Sequence, residues 1–135
     1  MRAACFHLGL ALVWLTGCAP VAVKNSVADA DPLRRAVVED VVLGMADVMA
    51  PSVTTLAPAH APGGAFDNAL YAALRAKGYT LAAVGGRGTS FDCVVDSIGG
   101  TLYRVNVRVG ASTMSRLWVL DGSNAYSGGA WARRE

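Results

Sequence analysis

The 135-residue sequence is poor in the residues from which catalytic and metal sites are built. It has three cysteines, two histidines and 7% aromatic residues. Twelve Lys and Arg against ten Asp and Glu give a formal net charge of +2, without a basic cluster. This balance argues against nucleic acid as a direct partner, because nucleic-acid-binding proteins concentrate basic residues on one surface. No nucleotide fingerprint, Ser-His-Asp set or His/Cys metal spacing is present. We therefore expect no enzymatic activity, cofactor or metal site.

A long apolar run is also missing. The longest, residues 3–14, is shorter than the roughly 20 residues of a spanning helix. Arg2 precedes this run and Leu15-Thr16-Gly17-Cys18 follows it, the order of a secretory signal. Leucine three positions before a cysteine, with a small residue directly before it, matches a lipobox. We predict removal of residues 1–17 by cleavage between Gly17 and Cys18. An ordinary signal peptide with a chance cysteine is the alternative.

The lipobox predicts acylation of the Cys18 thiol and amine. Two or more acyl chains hold a protein stably on a membrane surface. Ala19, rather than aspartate, follows the cysteine, and by resemblance to lipoproteins of Gram-negative bacteria this favours the outer membrane. We expect a domain that faces the periplasm from that membrane. The remaining thiol, Cys93, lies beside valines and is expected in the core, with an intermolecular disulfide as the alternative.

The rest of the chain reads as one domain with flexible ends. Residues 18–30 are small and polar and are interpreted as a linker, residues 31–120 as a single domain, and residues 121–135 as a Gly/Ser-rich tail. Asp31-Pro32 is typical of a helix start, and Pro51 ends that helix. A second helix is predicted from Ala65 to Lys77, closed by glycine.

Short strands are predicted between and after the helices. The clearest alternation of apolar and polar residues runs from Thr101 to Val109. The other strands are expected at residues 52–56, 79–84, 91–98 and 114–120. The order α-β-α-β-β-β-β favours an α/β (α+β) two-layer sandwich, with two helices packed on a small, mainly antiparallel or mixed sheet.

A few residues are weak candidates for chemistry. A small periplasmic enzyme would need a pocket that holds His60, Cys93 or the Asp92/Asp96 pair. His60 lies among turn residues, and two acids on an exposed strand are more often solvated than catalytic. Gly85-Gly86-Arg87-Gly88 resembles a phosphate loop but precedes a strand, so we interpret it as a flexible hairpin connection.

The order of several segments resembles the TrbH family of conjugal transfer proteins, lipoproteins of plasmid mating-pair-formation systems. The resemblance covers nearly the whole chain. It includes the lipobox and these segments: Thr54-Thr55-Leu56, Phe66-Asp67-Asn68-Ala69-Leu70, Leu74-Arg75-Ala76-Lys77-Gly78-Tyr79, Val94-Val95-Asp96, Gly100-Thr101-Leu102-Tyr103-Arg104-Val105, Ser115-Arg116-Leu117 and Trp131-Ala132-Arg133-Arg134.

The resemblance implies a structural role in type IV secretion. The protein would bind outer-membrane core-complex subunits, within a ring-shaped assembly, and tie them to the bilayer through Cys18. It implies no catalytic residues and a fold similar to the N-terminal domain of secretins. Two surfaces are candidates for partner binding, the strand face of Arg104, Asn106 and Arg108 and the segment around Trp131. A cell-envelope lipoprotein unrelated to conjugation is the alternative.

Overall fold

The computed structural model describes residues 25–135, which form two helices and a mixed seven-stranded sheet. The helices are α1 (Asp31–Ala46) and α2 (Ala65–Lys77). The strands are β1 (Thr55–Pro58), β2 (Thr80–Leu81), β3 (Thr89–Gly99), β4 (Leu102–Val109), β5 (Ser112–Asp121), β6 (Asn124–Ser127) and β7 (Ala132–Arg134). The α+β fold predicted from the sequence is confirmed.

The sheet combines a parallel part with an antiparallel part. Its order is β2-β1-β3-β4-β5-β6, and β7 also pairs with β5. Strand β1 is parallel to β2 and β3, because α2 carries the chain from β1 back to the start of β2. From β3 onward each strand pairs antiparallel with the next. Tight turns join β4 to β5 and β5 to β6, each beginning with a glycine at positive φ.

Both helices bury their apolar stripes against one face of the sheet. In α1 the buried stripe includes Leu33, Val37, Val41 and Met45, and in α2 it includes Phe66, Leu70 and Leu74. The sheet contributes alternate residues of β3 and β4, which are Phe91, Cys93, Val95, Val105, Val107 and Val109. The helices run parallel. Asp29 accepts a hydrogen bond from Phe66 at their N-terminal ends, and Tyr79 donates one to Met49 near their C-terminal ends.

Helix α2 has the bounds that the sequence predicts. Gly78 adopts φ +112, and its N–H and that of Tyr79 bond to the carbonyls of the last turn. This left-handed closure requires glycine. Helix α1 ends earlier than predicted, at Ala46 rather than near Pro51. Asp31 does not cap this helix, because it lies within the first turn and pairs with Arg34 and Arg35.

The first strand and the glycine loop differ from the prediction. Residues 51–53 form a short 3-10 turn, and the strand begins at Thr55 and continues through Pro58 into the predicted loop. The loop after β2 is not a hairpin connection, since β2 and β3 are separated by β1. A Cβ at Gly88, where φ is +151, would lie 2.7 Å from the Thr55 carbonyl oxygen. The loop therefore needs this glycine to pass close over β1.

The folded part also extends beyond residues 31–120 at both ends. The Gly/Ser-rich segment 121–135 contains β6 and β7, both paired with β5. At the other end, Asn25 and Ala28 are buried, in the segment interpreted as a linker. Small residues fit both segments because they allow the tight β5–β6 turn and the close packing of Ala28 between β3 and the helices.

Asn25 replaces a missing strand beside β3. Strand β1 pairs with β3 only as far as Phe91. Beyond that point the Asn25 side chain accepts a hydrogen bond from the Val95 N–H (2.8 Å) and donates one to the Cys93 carbonyl (2.9 Å). The same amide donates to the buried carboxylate of Asp67 at 2.7 Å. Asn25 thus links the N-terminal end of the described residues to both the sheet and α2.

Candidate interaction surfaces

The sheet face opposite the helices is open to solvent and carries the predicted residues Arg104, Asn106 and Arg108. Their register places Asp96 beside Arg104 and Asp92 beside Arg108. The two ion pairs measure 3.2 and 3.1 Å. Asn106 accepts a hydrogen bond from Ser115 on the neighbouring strand. This face is therefore polar and nearly neutral in its centre.

One end of the same face is apolar. Ile98, Leu117 and Tyr126 are 43%, 41% and 52% exposed. Leu102 and Val119 lie between them as cross-strand partners. Exposed apolar side chains that adjoin one another favour an interaction surface more than scattered ones do. The face therefore offers a polar centre with an apolar margin.

Trp131, in the segment that was the second candidate for partner binding, packs within the domain. Its indole packs over Gly44 of α1, where a Cβ would lie 2.9 Å from the indole nitrogen. The Arg116 guanidinium lies 5.8 Å from the Trp131 ring centre. Arg116 also donates hydrogen bonds to Asp40 (2.5 Å), to the Gly129 carbonyl (2.6 Å) and to Ser127 (3.0 Å). These contacts fasten the C-terminal segment to α1.

The Asp40 carboxylate is in an unfavourable electrostatic environment despite this pairing. Burial raises its pKa, and the Arg116 charge and the indoles of Trp118 and Trp131 oppose that effect only in part. Neither indole N–H completes a hydrogen bond, and the second Asp40 oxygen is also unpaired among the described residues. The cluster therefore holds the C-terminal segment at some electrostatic cost.

His60 and Asp92 come together, which the sequence did not predict. The His60 Nε2 lies 3.4 Å from Asp92, and its Nδ1 lies 3.9 Å from Asp67 and 2.8 Å from the Ala61 carbonyl. Asp92 is 8% exposed, so the expectation of a solvated carboxylate is wrong for this residue. Asp96 does remain at the surface, beside Arg104. Asp92 and Asp96 therefore have separate arginine partners and do not share a pocket.

The neighbours of His60 support the loop that follows β1. Tyr71 of α2 donates to the His60 carbonyl at 2.9 Å. Burial, with the nearby Asp67 and Asp92 carboxylates, raises the pKa of Tyr71 to about 12. Asp67 accepts the Gly63 N–H as well as the Asn25 amide. The Tyr71 hydroxyl and the Asp67 carboxylate thus both hold the backbone of this loop in place.

Cys93 is in the core, as predicted. It is 3% exposed and lies on the helix-facing side of β3, opposite the side that carries Asp92. Within residues 25–135, no group of three or more His, Cys, Asp or Glu is arranged to hold a metal ion. In the same residues, no helix has the length and apolar character to cross a membrane. The predicted signal peptide and Cys18 lie outside the described residues.

The family model for the conjugal transfer protein TrbH matches residues 19–135. The chain belongs to the TrbH family. No curated protein and no solved structure matches it. The TrbH match spans the whole described domain, including β6 and β7, and it assigns the chain to conjugal transfer.

Besides the contact between His60 and Asp92, two features of this TrbH domain were not predicted from the sequence. One is the Asn25 clamp, for which a lone asparagine in a polar segment gives no distinguishing signal. The other is the edge formed by β6, because the Gly- and Ser-rich composition of residues 121–135 is typical of a tail. The Asp121-Gly122 pair, directly after the apolar residues Trp118, Val119 and Leu120, is the one signal for a hairpin.

Proposed function

We propose that this TrbH protein is a lipid-anchored structural subunit of a conjugative type IV secretion channel. It binds outer-membrane core-complex proteins, as part of a ring-shaped assembly, during plasmid DNA transfer. The family match over residues 19–135 carries this proposal. The lipobox at Leu15–Cys18 supports the anchor. The open sheet face supports a role in binding rather than in catalysis.

The proposed anchor has a short tether. Asn25 is 6% exposed and is held by β3 and α2. Only residues 19–24 separate Cys18 from Asn25 along the sequence. At about 3.5 Å per residue, this tether spans at most about 25 Å. The domain accordingly works close to the periplasmic surface of the outer membrane, where core-complex subunits would meet it.

A Cys18→Ser variant tests the anchor. We expect the variant to leave the outer-membrane fraction and to lower mating frequency, because a serine at this position cannot accept the thioether-linked diacylglycerol. Cys93→Ala is the matched control, since it removes the buried thiol and should leave membrane fractionation unchanged. Normal fractionation of Cys18→Ser would show that Cys18 does not carry the anchor. Loss of anchoring with normal mating would show that the anchor is not needed for transfer.

A further inference from the structure

The edge of the sheet at β6 carries unpaired backbone groups. Asp121 and Asn124 flank the two-residue turn Gly122-Ser123, so these flanking residues form a hydrogen-bonded pair. Along an antiparallel ladder, hydrogen-bonded pairs alternate with pairs whose main-chain groups do not bond to each other. Val119 with Tyr126 is the next such pair, and the Gly128 N–H continues the series to the Leu117 carbonyl at 2.7 Å. The N–H and C=O of Ala125 and Ser127 therefore point away from β5, toward the open edge.

Helix α1 forms a second wall beside this edge. Cα atoms of α1 lie within 8 Å of Cα atoms of β6. Between them runs a groove of about 470 Å³. Pro32 and Ala36 give it an apolar floor, and Arg35 and Glu39 form a charged rim. The strand wall consists of Ser123, Asn124, Ala125 and Tyr126.

We propose that this groove binds an extended peptide segment of a core-complex subunit, which adds a strand to the sheet beside β6. This inference rests on the proposed function. Main-chain hydrogen bonds to Ala125 and Ser127 would hold the segment, and its alternate side chains would lie against α1. The Pro32 and Ala36 floor selects a small apolar side chain at that position. The mixed charge of Arg35 and Glu39 selects polar residues on either side of it.

The width of the groove favours a single extended segment over a second copy of this chain. An added strand lies about 4.8 Å from its neighbour. Antiparallel pairing of two β6 strands would place both α1 helices on the same face of the joined sheet. Each helix with its side chains is about 10 Å wide, and α1 already lies over β6. Two copies would therefore compete for the space above the groove.

The opposite sheet edge is less suited to strand addition. Its outermost strand, β2, has two residues, and β1 beyond it is already bonded through the Pro58 carbonyl to Gly85. The open sheet face presents side chains, because the main-chain groups of strands β3, β4 and β5 point toward their neighbouring strands. The β6 edge thus combines free backbone groups with a side-chain wall.

Site-specific photo-crosslinking in mating cells tests this inference. The full-length protein carries the photoreactive residue p-benzoylphenylalanine in place of Glu39, on the α1 rim of the groove, in cells that contain the complete transfer apparatus. We expect a crosslink to one core-complex subunit, mapped by mass spectrometry to an extended segment. Leu117 on the open face and Val53, which is 83% exposed, are the control positions.

A second pair of variants tests the hydrogen bonds. Ala125→Pro removes an N–H that points to the open edge, where proline is tolerated in edge strands. We expect the Glu39 crosslink to be lost while circular dichroism stays unchanged. Because Ala125→Pro could unfold the hairpin, Arg35→Glu alters the rim without touching β6. It should lower crosslink yield several-fold, whereas Arg75→Glu, on the exposed surface of α2, should not.

The outcomes separate this inference from the proposed function. A crosslink from Leu117 but not from Glu39 places the partner on the open face and overturns the groove. A crosslink from Glu39 to a second copy overturns the peptide segment as occupant. Co-purification of core-complex subunits without any crosslink also overturns the groove but leaves the proposed function intact. Absence of co-purified subunits would contradict the proposed function itself.

Discussion

Replacing Asn25 should destabilise the domain more than any other substitution in the N-terminal segment. Its amide satisfies the Val95 N–H, the Cys93 carbonyl and the Asp67 carboxylate. Asn25→Ala removes all three hydrogen bonds. It also places alanine at φ +65, where asparagine is tolerated better than most residues. The loss of hydrogen bonds and the unfavourable backbone conformation of alanine therefore both lower the stability of the domain.

The magnitude follows from these two effects. Three hydrogen bonds at about 1 kcal/mol each give about 3 kcal/mol, and a buried partner left unsatisfied adds to this. Alanine in the left-handed region adds about 1 kcal/mol. Asn25→Ala should thus lower the free energy of unfolding by about 4 kcal/mol. Asn25→Gly keeps the backbone conformation accessible and should lose about 3 kcal/mol.

Urea unfolding of the protein purified in mild detergent, followed by circular dichroism, measures this loss. At a slope of about 2 kcal/mol per molar urea, the Asn25→Ala midpoint should fall by about 2 M. Asn68→Ala, at an exposed position of α2, is the control and should change stability by at most about 0.5 kcal/mol. If both Asn25 variants unfold within 0.5 kcal/mol of the wild type, the side chain does not complete the β3 ladder.

Three further predictions concern the C-terminal segment and α2. Arg116→Met should cost about 3 kcal/mol at pH 7, because it leaves the partly buried Asp40 carboxylate without its cation. The pKa of Asp40 is raised, so more of its carboxyl is protonated at pH 4. The difference in unfolding free energy between Arg116→Met and the wild type, measured with urea, should therefore be smaller at pH 4 than at pH 7. Gly44→Ala should displace Trp131 and shift tryptophan fluorescence to the red, although alanine favours the helix by about 1 kcal/mol. A more stable variant with unchanged fluorescence would contradict that packing. Finally, the pKa of Tyr71 is raised to about 12, so the folded state holds this proton more tightly than the unfolded state. The resulting stability is complete below pH 10 and is lost as pH rises through 12, and Tyr71→Phe should show less of this loss in unfolding curves at pH 9 to 12. Equal pH dependence in both proteins would refute the assignment.

Local patterns predicted the helices and the antiparallel half of the sheet. Phe66, Leu70 and Leu74 recur at helical spacing before Gly78, and the structure has α2 at the predicted residues. The alternation of valines between Thr101 and Val109 similarly gave β4. In both cases the spacing of apolar residues equals the structural repeat of the element, which is about 3.6 residues for a helix and about 2 for a strand. Burial of one side of the element is then sufficient to determine its type.

The features that the sequence did not predict depend on contacts between residues that are distant in the sequence. Pro58 ends β1 instead of starting a loop, because it lies where its missing N–H is not required by the parallel ladder. Residues 124–127 carry weak strand propensity and pair because a tight turn returns them to β5. His60 and Asp92 are far apart in the sequence, and only the packing of the loop after β1 against β3 brings them together.

The proposed function is tested most directly by affinity purification of the tagged, lipidated protein from the outer membranes of cells that carry the transfer apparatus. We expect core-complex subunits to co-purify with the wild type and to be lost from the Cys18→Ser protein. Mating frequency should fall in parallel. Recovery of the protein without channel subunits, from cells that mate normally when its gene is deleted, would contradict the account.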